Sequence, residues 1–419
     1  MSFLDVIILI VQCVVLALAT TGLFAYFTLF ERRFLARFQN RVGPNRAGYI
    51  PLPGNRKLFG GFLQPVADAI KLFLKEEITP ALADKWVYII SPVFAVIPAI
   101  IIWATIPLGC LPYGEGAQMG CPAGSGNFLH LADINVAILY FLAITSLGVY
   151  GIAIAGWASN NKYSMLGGIR ATAQVISYEL ALGLAILGVV MQAGSFSTSE
   201  IVAQQAGPLG WYVIPQFLAF VIFLIASTAE VVRAPFDLVE AEQELAGGYN
   251  VEYGSMKFAL FFMSEYIKLI AMNAIAVTLF FGGWRFPGIE TLATFVAGFA
   301  GEIAGNIVFG LVSLGAFLLK VTVLSFISVW VRATFPRTRY DQLMILGWVV
   351  LLPLALFNIT LTAVVNVFIP ENYLLSAGIT FAVGLIAIVA VAQIAGPRRS
   401  PQHEVTLVKR ETREFSVEG

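Results

Sequence analysis

The stretch FLDVIILIVQCVVLALATTGLFAYFTLFERR, residues 3–33, is apolar from Phe3 to Leu29 apart from Asp5 and a few small polar residues, and then meets Glu31, Arg32 and Arg33. An apolar run of about 18 or more residues can cross the hydrocarbon core, because a helix satisfies its own backbone hydrogen bonds where water is absent. No basic leader precedes this run. It therefore reads as a retained helix with its basic end in the cytoplasm, not as a signal peptide, and the N-terminus is expected outside. Working outward, comparable stretches fall near 87–109, 131–156, 172–193, 211–230, 257–282, 303–331, 343–368 and 373–395. With 3–29 they make about nine spans, without an internal repeat. The expected fold class is all-α: a polytopic transmembrane helix bundle over 1–395, with an acidic loop at 231–257, followed by a tail at 396–419.

Composition agrees. Of 419 residues, 58% are hydrophobic and 12% charged, and mean hydropathy is +0.83, whereas a soluble domain carries about 25% charge. Lys plus Arg and Asp plus Glu number 25 each, so no net field draws the chain to nucleic acid. Two His and three Cys are too few for a transmembrane haem pair, an Fe–S cluster or a Cys/His zinc site, so no metal and no resident redox centre is expected. No G-x-x-x-x-G-K-[ST] loop is present, which argues against ATP-driven transport.

Loop charge tests the threading. The alternate loops 30–86, 157–171, 231–257, 332–342 and the tail hold 22 of the 25 Lys and Arg, the asymmetry that marks the cytoplasmic side. The opposite loops hold only Arg285, while Lys268 and Lys320 lie inside expected spans. The tail is cytoplasmic in this threading and, without apolar periodicity, reads as a flexible or partner-docked segment. Cys110 and Cys121 share one outer loop, where a disulfide closing it is worth about 2–3 kcal/mol in the chain-entropy model; two free thiols are the other reading.

The first inner loop opens with ERRFLARFQNRVGPNRAG, residues 31–48, a basic helical end stopped by Gly43-Pro44-Asn45. Further on, FLQPVADAIKLFLKEE sets Val66, Ile70, Phe73 and Leu74 on one helical face and Asp68, Lys71 and Lys75 on another. That is an interfacial amphipathic helix, either a lipid anchor or a wall of a lipid-tail cavity. Glu179 lies about 10 Å into its span at about 1.5 Å per residue, where a charge persists only if protonated, paired or wet. Glu265 and Lys268 can pair on one helix face, as a structural ion pair or as part of a proton path. Lys320 needs a partner from another helix or from water. The segment 229–258 gathers Asp237, Glu240, Glu242, Glu244 and Glu252 with only Arg233 and Lys257 nearby. Such a run is either a solvated face or a proton-sharing cluster with raised, coupled affinities. RATFPRTRYDQLM, residues 332–344, sets Arg332, Arg337 and Arg339 around Pro336, an anchor or a fork for carboxylates or a polar head group.

Four runs in order, ERRFLARFQNRVGPNRAG, GWASNNKYSMLGGIRATAQVISYE, AEVVRAPFDLVEAEQELAGGYNVEYGSMKFALFF and RATFPRTRYDQLM, resemble the family of H-type membrane subunits of respiratory complex I, proton-translocating NADH:quinone oxidoreductase. Members of that family form its quinone channel and join its hydrophilic arm to its membrane arm. The resemblance covers roughly residues 10–368. It implies a non-redox-centre subunit of a translocase in a bacterial inner (plasma) membrane, with a quinone, ubiquinone or menaquinone, as substrate. NADH, FMN and Fe–S clusters then belong to partner subunits, and the partners are other membrane-arm subunits, the quinone-site peripheral subunits and lipid. The resemblance places a quinone-tail tunnel along the first span, the amphipathic helix at 62–75 and parts of spans six and seven. Glu31, Arg32, Arg41, Arg332, Arg337 and Arg339 match the cavity motifs. Asp237, Glu240, Glu242, Glu244 and Glu252 match the proton entry, and Glu179 and Glu265 the buried path. Coupling is expected to be electrostatic, a charged quinone intermediate altering how tightly these acids hold protons. Two features depart from the family pattern: the longer loop RAGYIPLPGNRKLFGGFLQP and the ninth span at 373–395, which is expected to pack against a neighbouring subunit. Rival readings are a membrane subunit of an energy-converting hydrogenase or ferredoxin-linked complex, a stand-alone cation/proton antiporter, and a passive scaffold.

Overall fold

The computed structural model describes residues 3–47, 50–52, 56–58, 60–110, 130–206, 210–237, 248–286, 288–369 and 373–394. Helix α1 (Phe3–Phe38) continues past the apolar stretch and carries Glu31 to Arg33 within it. The longer inner loop holds a short antiparallel ribbon, β1 (Ile50–Leu52) with β2 (Arg56–Leu58), Ile50 opposite Leu58. Helix α2 (Gln64–Leu74) has Pro65 in its first turn, where a missing N–H costs nothing. Asp84 caps α3 (Lys85–Ile101) by accepting the Trp86 N–H at 3.3 Å, and a 3₁₀ turn, Ile102–Thr105, extends it.

Helices α4 (Ala137–Ala158) and α5 (Lys162–Ala193) follow. Asn161 caps α5 by accepting the Tyr163 N–H at 3.0 Å, so the loop expected at 157–171 shrinks to three residues and Arg170 lies on a helix. Next come α6 (Thr198–Gln204), α7 (Phe217–Glu230), α8 (Ser255–Phe280), α9 (Ile289–Ala300) and α10 (Glu302–Thr334). Helix α11 (Tyr340–Ile345) passes through a π-helical turn, Leu346–Leu351, into α12 (Leu352–Phe368), and α13 (Tyr373–Ile394) closes the described chain.

Among the described residues eight helices are long and apolar enough to cross a membrane. The fifth of the nine expected stretches is present as a shorter apolar helix. Residues 212–216 form turns, and α7 has only 14 helical residues, about 21 Å at 1.5 Å each against a core of about 30 Å. Non-helical backbone at that depth is tolerated where protein surrounds it. Here Val213 N–H donates to Phe280 O at 2.9 Å, and the Gln216 side chain accepts from Asn358 at 2.9 Å and donates to Thr362 at 3.0 Å. Helix α13 lies along α7, Phe217 against Phe381 and Gly384 against Leu218. The ninth stretch thus packs within its own chain and encloses the short helix.

The inner loops of the charge-based threading meet at one end of the bundle. Tyr88 at the start of α3 donates to Glu252 O at 2.6 Å, Ser255 at the start of α8 donates to Leu72 O at 2.9 Å, and Thr338 N–H donates to Pro235 O at 3.1 Å. At the other end Cys110 N–H donates to Ser313 at 3.2 Å. Cys110 is disulfide-bonded, Cys13 is free, and Cys121 lies outside the described residues. So does the tail after 394.

Lys320 also belongs to this second end. Its ammonium donates to Phe281 O at 2.8 Å, Gly283 O at 2.9 Å and Arg285 O at 2.5 Å. The partner that its own span lacks is the carbonyl-rich end of α8, where a cation meets both the open acceptors and the negative end of the helix dipole. Lys320→Met is expected to cost about 2 kcal/mol, read as a lower thermal midpoint of the detergent-solubilised protein, whereas Lys320→Arg retains most of the stability.

Candidate functional site

The segment leaving α7 turns back into the bundle instead of running out of it. Val232 takes a left-handed φ of 58° and the Ala234–Pro235 peptide is cis. Gln174, wholly buried on α5, spans the turn: its amide donates to Ala229 O and to Phe236 O, each at 2.9 Å. Arg337 donates to Asp237 at 3.0 Å, and the Tyr178 hydroxyl donates to Leu343 O at 2.8 Å. One helix therefore seats both charged segments, 231–237 and 335–343. The acidic residues Glu240, Glu242 and Glu244 lie outside the described residues.

Where α1 emerges, Glu31 is buried, 4% exposed, and pairs with Arg332 at the end of α10. Tyr266 of α8 faces the same carboxyl. Arg32 reaches α2 through Asp68 at 2.6 Å, and Arg33 donates to Gly60 O. The structure thus brings Glu31 and Arg332 together and uses Arg32 to fasten the amphipathic helix. Arg41 donates to Gln39 at 2.6 Å on the surface, and exposed Arg339 meets Asp341 at 3.4 Å; neither enters the cluster. The apolar face of α2, with Val66, Ile70, Phe73 and Leu74, is exposed, as an interfacial helix requires.

From this mouth the charges continue inward. Arg233 lies over the Tyr266 ring at 3.9 Å and 4.0 Å from Glu265. The Tyr249 hydroxyl donates to Glu265 at 3.0 Å. One turn further along α8, Lys268 pairs not with Glu265, as their spacing allows, but with Glu230 at 2.9 Å. Glu179 accepts from Ser146 of α4 and feels the charges of both Glu230 and Lys268. A cavity of about 40 Å³, lined by Thr145, Glu230, Ser264, Glu265 and Lys268 among others, has room for about two or three waters.

Glu252 stands at the inner edge, accepting from Asn161 at 2.7 Å. Beside it Tyr253 stacks on Tyr88 with ring centroids 4.2 Å apart and bonds Ser91 at 2.9 Å. Burial pushes the Tyr253 hydroxyl well above the ordinary range, so it remains a neutral donor. Gly167 permits this loop to approach: a Cβ there would sit 2.7 Å from Gly248 C. Near the mouth an apolar groove of about 180 Å³ runs between α1, α8 and α10, bordered by Phe27, Phe30, Trp103, Phe317 and Val321. Aromatic contacts follow it, Phe34 against Phe326 at 4.9 Å and Tyr26 against Phe62 at 4.9 Å.

A protein family described as NADH dehydrogenase matches residues 11–363, most of the chain. The chain belongs to that family. Its relatives are H-type subunits of NADH-quinone oxidoreductase. The one numbered 1 in Geobacter sulfurreducens is 47% identical over 344 residues, 81% of this chain and 90% of that one. The Deinococcus deserti protein is 47% identical over 363 residues, 86% and 84% of the two chains. That of Rhodospirillum rubrum is 47% identical over 358 residues, 85% and 93%. Membership and the apolar helices together make this an integral membrane protein of the respiratory complex I type. The matched region holds every described charge of the cluster; α13 lies beyond it.

Two members of the cluster, Glu230 and Arg233, are not candidates on the sequence alone. Glu230 is the last residue of the expected fifth span, where a charge reads as solvated at the helix end, yet its side chain is fully buried. The available signal is its place next to RAPFD, which carries the acidic segment. Burial also predicts an asymmetry at the mouth. Arg332→Met strands the buried Glu31 carboxylate and is expected to cost about 2 kcal/mol, while Glu31→Gln frees a partly exposed guanidinium and costs under about 1 kcal/mol. Thermal unfolding of both variants and of the double variant, which should recover part of the loss, measures this.

Proposed function

We propose that this chain forms part of the quinone-access tunnel of a bacterial NADH:quinone oxidoreductase and couples quinone reduction to proton translocation. The observation that carries the reading is a connected line of charged side chains running from the mouth into the bundle. It begins at Glu31 and Arg332, passes Tyr266 and Arg233 to Glu265, continues to Glu230 and Lys268 beside a cavity large enough for water, and ends at Glu179. Charged groups inside a membrane protein are expensive and persist where ions or protons move. The groove between α1, α8 and α10 opens next to the mouth and has the apolar lining that an isoprenoid tail requires.

In this reading the electron chemistry, with NADH, flavin and Fe–S clusters, belongs to partner subunits, and this chain supplies orientation and charge. The quinone head group approaches Glu31 and Arg332 from the inner end, at the junction with peripheral subunits, while its tail lies in the groove. A negative charge formed on the head group acts first on the Arg332–Glu31 pair and, through the guanidinium of Arg233, on Glu265. Proton affinity along the line rises or falls with that charge. Protons enter by the segment holding Asp237 and Glu252, with Glu240, Glu242 and Glu244 assigned the same role. They leave past Glu179 toward neighbouring membrane-arm subunits. The inner loops face the cytoplasm, as their Lys and Arg content supports, with the N-terminus outside and the tail cytoplasmic.

Glu265→Gln and Glu179→Gln in the assembled enzyme, in sealed vesicles, are expected to lower protons moved per quinone reduced at least several-fold, with rates normalised to NADH oxidation by a soluble acceptor. Full proton yield in both variants would refute the path. The groove has its own test: Thr322→Trp narrows it from the exposed side and should raise the apparent KM for long-tailed quinones well above that for short-tailed ones. Equal effects on both would show that the tail runs elsewhere.

A further inference from the structure

The carboxylates at the inner end of this line gather around one ammonium. Lys268 stands on α8, 2.9 Å from Glu230 at the end of α7. The Glu230 side chain is wholly buried, and among the described residues no neutral donor hydrogen-bonds to either of its oxygens. Its charge is therefore answered by the charge of Lys268 and not by a fixed donor. Glu179 on α5 feels the negative charge of Glu230 and the positive charge of Lys268 together. From α8 itself comes Glu265, one turn earlier, with Arg233 at 4.0 Å and Tyr249 at 3.0 Å on its other side. Among the described residues, helices α3 and α4 contribute no titratable side chain to the cavity wall, Thr145 being the polar group there. A pair held only for structure needs neither a cavity along its flank nor a third group sharing its field.

We propose that Lys268 is a positioning residue for proton transfer: it holds Glu230 as the carboxylate that receives a proton from the cavity, and its charge then acts on Glu179. When the proton arrives, an O–H bond forms on the Glu230 carboxyl and the donor, a hydronium ion or a neighbouring acid, loses its own. Lys268 keeps its three protons. With Glu230 neutral, the attraction of the ammonium is no longer offset, so Glu179 is favoured as the anion and gives up its proton onward. The reverse order is disfavoured, because releasing the Glu179 proton while Glu230 is still ionised places two carboxylates beside one ammonium. The inference rests on the proton path proposed above and adds the group that sets the order of its steps.

The test uses the assembled enzyme in sealed vesicles, with rates and proton yields per assembled complex measured across pH for Lys268→Met, Lys268→Arg, Glu230→Gln and the double variant Lys268→Met/Glu230→Gln. The acid limb of coupled turnover in the parent enzyme is the reference. Removing a nearby positive charge makes a carboxylate hold its proton more tightly, so Lys268→Met should move that limb to higher pH by about one pH unit or more. Lys268→Arg should leave it near that of the parent, and in the Glu230→Gln background Lys268→Met should add no shift. The infrared stretch of protonated carboxyl that Glu230→Gln removes should persist to correspondingly higher pH in Lys268→Met. Should Lys268→Met fail to assemble, Lys268→Gln, which keeps a polar contact, is read by the same shift. Superimposable pH profiles in the parent and the Lys268 variants, with proton yield lost in Glu230→Gln, overturn the role of Lys268 and leave the path standing. Full proton yield in Glu230→Gln removes the path itself.

Discussion

The two hydrogen bonds that Gln174 donates to Ala229 and Phe236 hold a non-helical segment inside a bundle of membrane helices. Open backbone is expensive where water is absent, and each group must find a protein partner. By bridging the carbonyls on either side of the turn, one side chain allows the chain to fold inward as soon as α7 ends at Glu230. That return places Glu230 against Lys268, Arg233 between Tyr266 and Glu265, and Asp237 against Arg337. Were the segment after Glu230 to run straight out of the bundle, Arg233 and Asp237 would lie at the membrane edge in water and could not act on their partners strongly.

The same constraint explains the division of labour among polar groups. Lys320 and Gln174 carry hydrogen bonds directed at main-chain carbonyls, and such groups hold backbone. The line from Glu31 to Glu179 is different: it is held largely by charge, across contacts such as 2.9 Å for Glu230 and Lys268 and 4.0 Å for Arg233 and Glu265. In a low-dielectric interior such pairs interact strongly, and a change of charge at one is felt at the next. A coupling element requires that property, and an apolar core cannot supply it.

Most of the architecture is legible in the chain. Apolar runs of the right length locate the helices, and the placing of Lys and Arg identifies loops that do meet at one end of the bundle. The site is legible in part. Glu31 and Arg332, 301 residues apart, are both marked by their motifs, and the structure joins them. Glu265 and Lys268 read as mutual partners, since the helical period puts them on one face, but each meets an opposite charge on another element. Glu230 escapes a linear reading because a charge at the end of an apolar run reads as solvated.

Taken alone, the sequence determined that this is an all-helical membrane protein, which ends share a side, and which family its motifs resemble. Hydropathy, loop charge and short motifs are local, and the bilayer turns them into helices and orientation with little choice left. Only the tertiary structure decided which charge answers which, how short the fifth helix is, and that α13 packs along it. Those outcomes depend on distances between elements far apart in the chain, and inside a membrane a buried charge is governed by whatever lies within a few ångströms of it.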